Sequence, residues 1–307
     1  MNYQIPILLI VFNRPKCVEL LINSIAQVKP AYLFVSVDGP RVNYVDDIEN
    51  INQTIHVIKS LVSWDCELVF NISQNNKGVK MGPFNAIKWF FNLNEMGVIL
   101  EDDCIPSVTF FNFCEEMLKK YKNDTRIGLI SGRNDCDDIS LSESYFFSTS
   151  GSIWGWASWA RVIDQYEVNE INYLDNINKN LFSSTLDSMQ ANRLAYHLKW
   201  AIFDNFLIKT WDYQLHAYLK LNYHLYIIPK VNLIKNVGFG ADATHTKSIE
   251  KRTNLNSKNL QLPIIHPKWV FPNRELSRRI YRADSNKWFI WWYLVIRFHI
   301  QNFLNKK

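Results

Sequence analysis

Two hydrophobic patterns alternate along the first 130 residues. Ile5–Phe12 and Ala31–Val37 are almost unbroken apolar runs, the signature of strands buried on both faces of a parallel sheet. Glu67–Ile72, Gly97–Leu100 and Ile127–Ile130 add three shorter runs. Between them the apolar positions recur at helical spacing. Val18, Leu21, Ile22 and Ile25 follow Pro15, which suits a helix first turn, and Pro30 stops the pattern. Further helices are predicted over Val45–Val62, from about Pro83 to Leu93, and from about Ser107 to Tyr121, with a polar loop carrying Gly78 and Gly82 before the second of these. A strand–helix alternation of this kind predicts an α/β fold with a mostly parallel sheet.

Beyond Ser140 the pattern becomes irregular. The aromatic segment Ile153–Trp159 and an amphipathic stretch near Ala191–Phe206 read as helices and loops covering a site. Trp154, Trp156 and Trp159 do not share one helical stripe, so they read either as a sugar-stacking surface or as a satellite aromatic core. The Asn- and Lys-rich stretch around Gly240–Pro263 reads as a mobile loop. After Pro272 come Arg274, Arg278, Arg279 and Arg282, and then the apolar run Trp288–Ile296. The expected organisation is a nucleotide-binding half over residues 1–135, an acceptor-side half over 136–271, and a basic aromatic tail over 272–307.

Composition narrows the function. Of 307 residues, 48% are hydrophobic and 21% charged, enough apolar surface for a large core. The net charge of +5 is too mild to point to nucleic acid. Five cysteines without a Cys-x-x-Cys pair argue against a disulfide framework or a zinc site and for a reducing compartment. The first apolar run is too short for a leader or a span, so a cytoplasmic protein is expected. Neither a GxGxxG nor a GxxxxGK[ST] loop follows the first strand, which disfavours dehydrogenase and P-loop kinase chemistry.

Candidate chemistry sits where strands end. In open α/β sheets ligands bind at the carboxyl ends of the strands, and there the chain places Asp38 and the triplet Glu101-Asp102-Asp103. Three adjacent carboxylates repel one another unless a cation is near; the triplet reads as a solvated acidic turn or as a site for Mg2+ or Mn2+ completed by water and phosphate oxygens.

Val98-Ile99-Leu100-Glu101-Asp102-Asp103 resembles the metal-binding segment of GT-A-fold glycosyltransferases, and its Glu-Asp-Asp form that of the N-acetylglucosaminyltransferase I family. Val37-Asp38-Gly39, Ser131-Gly132-Arg133-Asn134, Gly155-Trp156, Trp211-Asp212, Ile228-Pro229 and Gly238-Phe239-Gly240 fall in matching order, and the whole is similar to a bacterial group of such transferases, some labelled hemolysin-like. The similarity covers roughly residues 5–246. It implies a GT-A fold and an inverting, Mn2+- or Mg2+-dependent transfer from a nucleotide-diphosphate sugar, UDP-linked in the first instance. The acceptor would be a glycan or lipid-linked glycan of bacterial surface polysaccharide or lipooligosaccharide. By the same resemblance Asp103 would hold the metal, Glu101 and Asp102 would contact sugar or ribose, Asp38 would lie near the nucleoside, and Asp212 would be the catalytic base. This chain has Tyr213 where the family segment has a second Asp. Taken alone, Asp212 also reads as a helix cap.

Other residues are weighed on their chemistry. Arg14 and Arg133 read as partners of phosphate and acceptor or as surface residues, His245 as a group able to reach metal or pyrophosphate or as a solvated side chain, and Trp154 and Trp156 as acceptor contacts. The nine-residue run Trp288–Ile296 is far short of the roughly 20 residues needed to cross a bilayer. Flanked by basic residues, it reads as an interfacial helix on anionic lipid or as a helix docked on the domain. A different class of function, a membrane-associated scaffold on an inactive transferase fold, is the alternative.

Overall fold

The structure is a computed structural model, and it describes residues 2–136, 139–169, 210–238 and 255–284. Among these, eight strands form one mixed sheet in the order β3-β2-β1-β4-β8-β6-β9-β7. Its first half is parallel and Rossmann-like: β1 (Ile7–Val11) lies between β2 (Tyr32–Val37) and β4 (Met96–Glu101), and β3 (Glu67–Ile72) closes the edge. The apolar runs form these strands because both faces are covered; Ile7, Leu8, Leu9, Val98, Ile99 and Leu100 are fully buried.

The crossover helices α1 (Pro15–Ile25), α2 (Asp46–Leu61), α3 (Gly78–Leu93) and α4 (Val108–Lys120) match the sequence pattern, with one difference. α3 starts at Gly78 rather than near Pro83. The Asp38 carboxylate at the end of β2 accepts hydrogen bonds from the amides of Lys77 (2.8 Å) and Gly78 (3.0 Å), so two of the amides at the helix start are satisfied by a residue 39 to 40 positions away.

The second half of the sheet departs from expectation. β7 (Tyr145–Ser148) and β8 (Trp156–Trp159) are strands, not the helices and loops predicted after Ser140. β8 is inserted antiparallel between β4 and β6 (Ile127–Ser131), and β9 (Leu225–Pro229) joins β6 to β7. Strand geometry also explains the tryptophans. With a period of two, Trp156 and Trp159 point to opposite faces, and both are 1% exposed. Two helices follow in the chain, α5 (Ala160–Ile163) directly after β8 and α6 (Asp212–Leu221) before β9. A two-stranded ribbon pairs β5 (Cys104–Pro106) with β10 (Ile234–Asn236), setting Asn236 opposite Cys104.

The segment read as mobile is in part fixed. Leu260 is buried, its amide donates to Thr109 Oγ1 at 2.8 Å, and the Lys258 amide donates to the Asn232 carbonyl at 2.7 Å. α7 (Arg274–Asp284) docks on β7, with Leu276, Ser277 and Ile280 buried. Thus residues 272–282, the start of the segment expected either to bind membrane or to dock, cover the sheet edge. The run Trp288–Ile296, the Ala191–Phe206 stretch and His245 lie outside the described residues. No helix among the described residues is long and apolar enough to cross a membrane.

Candidate active site

Strands β1, β2, β4 and β6 deliver Arg14, Asp38, Glu101–Asp103 and Arg133 to one edge of the sheet, the edge of their carboxyl ends. There the carboxylate triplet meets a cation from the chain itself. Arg14 Nε donates to Asp102 Oδ2 at 3.1 Å, its second terminal nitrogen donates to Asp102 Oδ1, and Nη1 donates to Asp103 Oδ2 at 3.1 Å. One guanidinium thus grips both oxygens of Asp102 and one of Asp103, the fork geometry that a lysine cannot reproduce. Burial works against the charge on Arg14, but the two carboxylates outweigh it and hold its pKa above the ordinary value.

Asp103 is held from the other side by the ribbon. Asn236 Nδ2 donates to Asp103 Oδ1 at 3.2 Å, and the Val237 amide donates to the Asp103 carbonyl at 2.9 Å. Gly238 then passes directly over the carboxylate. A methyl group there would collide with Asp103 Oδ2 and crowd Arg14, so this crossing requires glycine.

The cluster stays electrostatically strained despite Arg14. Burial, then Asp103, Asp102 and Asp212, push the Glu101 carboxyl up to about 8, against the pull of Arg14. Asp102 is raised to about 6, mainly by burial, with Arg14 opposing and Asp103 adding. Glu101 therefore holds its proton near neutral pH while Asp102 stays largely ionised against Arg14, which is how crowded carboxylates relieve repulsion. Asp212 is the notable member of the set. It comes from α6, far away in sequence, yet is near enough for its charge to raise Glu101.

What brings Asp212 there is aromatic packing. Trp211, 3% exposed, stacks on Trp156 with ring centroids 6.0 Å apart and planes 28° from parallel, and its carbonyl accepts the Tyr166 hydroxyl at 2.7 Å. Trp156 is opposite Ile99 on β4, so the stack ties the start of α6 to the strand that carries the triplet. The Trp156 ring consequently faces Trp211, and its indole N–H is a buried donor with no hydrogen-bond partner.

The remaining candidates separate. Asp38 accepts from Gly39, Lys77 and Gly78 amides and from Asn76 Nδ2, so both of its oxygens serve the start of α3. Arg133 is not a surface residue. It is 1% exposed, its Nε donates to Asp135 Oδ1 at 2.6 Å, and its guanidinium lies 4.1 Å from the centre of the Trp154 ring. Trp154 is half-buried and is placed by Gly155, whose φ of +64° only glycine adopts easily and which has no room for a side chain beside Ile234.

Asn236 and Tyr166 were not singled out from the sequence, because their roles depend on a ribbon and a hydroxyl contact that no local pattern announces. Gly238 was noted within a motif; its steric task was not.

Among the described residues, no three or more His, Cys, Asp or Glu side chains are grouped to hold a metal by themselves. The donors present are nevertheless of one kind. Burial raises the Cys104 thiol well above its usual pKa, so it stays protonated and leaves only carboxylate oxygens. Oxygen donors are what a hard cation of the Mg2+ class takes, one or two of them from the protein, with water and phosphate oxygens besides. Asp103, whose oxygens here accept from Arg14 and Asn236, would have to exchange one of those bonds to hold it.

The chain is thus an α/β protein with a Rossmann-like half-sheet and a carboxylate–guanidinium cluster at the carboxyl edge of its strands. No family model matches the chain, and no curated protein does. Among solved structures it is similar to HddC from Yersinia pseudotuberculosis, with a TM-score of 0.33 and 11% identity over 53% of this chain and 80% of the other. It is similar also to a cytidylyltransferase from Leptospira borgpetersenii (0.31, 8%, 58% and 66%) and to a UDP-glucose pyrophosphorylase complexed with UDP-glucose (0.32, 10%, 55% and 82%).

Proposed function

We propose that the protein is an inverting glycosyltransferase that moves a sugar from a nucleotide diphosphate, UDP in the first instance, to a hydroxyl group of a glycan acceptor. The observation that carries this reading is the approach of Asp212 to Glu101, the first acid of the triplet at the carboxyl edge of the sheet. The resemblance of the triplet and of Trp211-Asp212 to the N-acetylglucosaminyltransferase I family supports it, and gives bacterial surface polysaccharide or lipooligosaccharide as the setting.

In this reading Asp212 accepts the proton of the acceptor hydroxyl as that oxygen attacks the anomeric carbon. The bond from the anomeric carbon to the diphosphate oxygen breaks in the same displacement, and the anomeric centre inverts. In the same reading Glu101, protonated near neutral pH, hydrogen-bonds donor hydroxyl groups, and the buried Asp102, gripped on both oxygens, fixes Arg14. Arg14 offsets the charge of Asp102 and Asp103 by bonding to both. A Mg2+ or Mn2+ ion held by Asp103 would supply charge neutralisation for the leaving diphosphate.

Incubating the protein with a panel of nucleotide sugars and Mn2+, with and without glycan acceptors, tests the reading. Release of nucleoside diphosphate from one donor, faster with acceptor, is expected. No turnover of any donor by the wild type would contradict it.

A further inference from the structure

The free edge of β7 is covered by residues 264–273, which run along it before entering α7. The Ser144 amide donates to the Ile265 carbonyl at 2.8 Å, the Ile265 amide to Ser144 Oγ at 2.9 Å, and the Asn273 amide to the Phe147 carbonyl at 2.8 Å. Its inner side is what an edge cover needs, with Ile264 8% exposed and Val270 packed on the core. The outer side is not. Leu262 is 50% exposed, Ile265 56%, Trp269 72% and Phe271 75%. Edge protection explains none of these, and natural edges are blunted by charge and proline rather than by outward aromatic rings.

Charge says what would cover them. Lys268 Nζ sits 5.2 Å from the centre of the Trp269 ring, and three residues after Phe271 the exposed Arg274 opens α7. Arg274, Arg278 and Arg282 follow at four-residue intervals, with Arg279 beside them, whereas Leu276, Ser277 and Ile280 face the sheet. Between residues 268 and 282 the chain carries five basic groups against one acid, Glu275. Exposed Trp and Phe flanked by arginine are the composition of an interfacial membrane contact: rings enter at headgroup level while guanidinium groups pair with anionic headgroups.

We propose that residues 262–271 and the basic face of α7 form a docking surface for an anionic lipid bilayer. It rests on the described fold alone and is independent of the transferase reading. A peripheral contact of this kind adds about fivefold in affinity per basic residue near the surface and weakens as salt rises.

Sedimentation of the full chain with phosphatidylcholine vesicles, and with the same vesicles carrying phosphatidylglycerol, tests this. The wild type is expected to prefer the anionic vesicles and to be released by salt. Trp269→Ser with Phe271→Ser should weaken that binding at least tenfold at an unchanged unfolding midpoint, and Lys268→Glu with Arg274→Glu should do the same. If the first pair shifts the midpoint, the charge-reversed pair alone decides. Wild-type binding by the charge-reversed pair would overturn the proposal, as would equal binding to both vesicle types. So would an apolar variant that turns a dimer into monomers while its vesicle binding stays intact, which would make the surface a self-interface.

Discussion

Removing the Arg14 guanidinium strips Asp102 of its side-chain donors on both oxygens and leaves two carboxylates facing each other. Arg14→Met is expected to cost about 3 kcal/mol in urea unfolding near neutral pH, the scale of breaking a buried pair from one side. Because the acids can then neutralise themselves with protons, the deficit should be smaller at about pH 5 than at about pH 8; a pH-independent deficit would mean that the arginine acts through packing. Asp47 behaves in the opposite sense. Hydrogen bonds from the Arg41 side chain, against burial, and with help from the Arg41 amide and Asn13, lower its pKa to about 2. The folded value lies below the ordinary one near 3.9, so its contribution is complete above about pH 4 and disappears as pH falls towards 2. Arg41→Gln should therefore move the acid unfolding midpoint to higher pH, measured by circular dichroism. For Asp212→Asn, donor affinity should hold while turnover falls by about 100-fold or more, the range for a lost general base. Near-wild-type turnover would move the base elsewhere. Single residues at strand ends were legible in the sequence; Asp38, Glu101, Asp102 and Asp103 all sit where the apolar runs stop. Their partners were not, because Asn236 reaches Asp103 from 133 positions away.

Among the elements, those built on continuous apolar runs were readable to within a residue or two, and the reason is that burial on both faces leaves no other pattern. β7 and β8 escaped. Each is only four residues long, and the three tryptophans around β8 invite a helical or surface reading until the period of two sorts them onto opposite faces. The start of α3 escaped because its cap comes from Asp38 on β2, while Gly78, Gly82 and Pro83 read locally as breakers. The ribbon of β5 and β10 matters most for the site, since it carries Gly238 over Asp103. Gly238→Ala should push that crossing away and destabilise the protein by roughly 1–3 kcal/mol, as overpacking does. Donor affinity should fall at the same time. Retained affinity with lost stability would uncouple the ribbon from the site.

Across the molecule, the segment from residue 272, expected either to associate with membrane or to dock, opens with α7, whose Leu276, Ser277 and Ile280 are buried. Ending the chain after Pro272 is expected to bare β7 and lower the unfolding temperature, whereas ending it after Asp284 keeps the docked helix. Equal unfolding temperatures for the two truncations would show that α7 adds nothing to the sheet edge. The sheet unites what the sequence scatters: Arg14, the triplet and Asp212 lie almost 200 positions apart and meet at one edge. This edge is proposed to bind a nucleotide-diphosphate sugar together with a divalent cation. Calorimetry of UDP-sugar binding with and without Mn2+, on the wild type and on Asp103→Ala, tests it most directly. Affinity that requires Mn2+ in the wild type and vanishes in a folded Asp103→Ala is the predicted result; metal-independent affinity, or Mn2+-dependent affinity unchanged by Asp103→Ala, would contradict it.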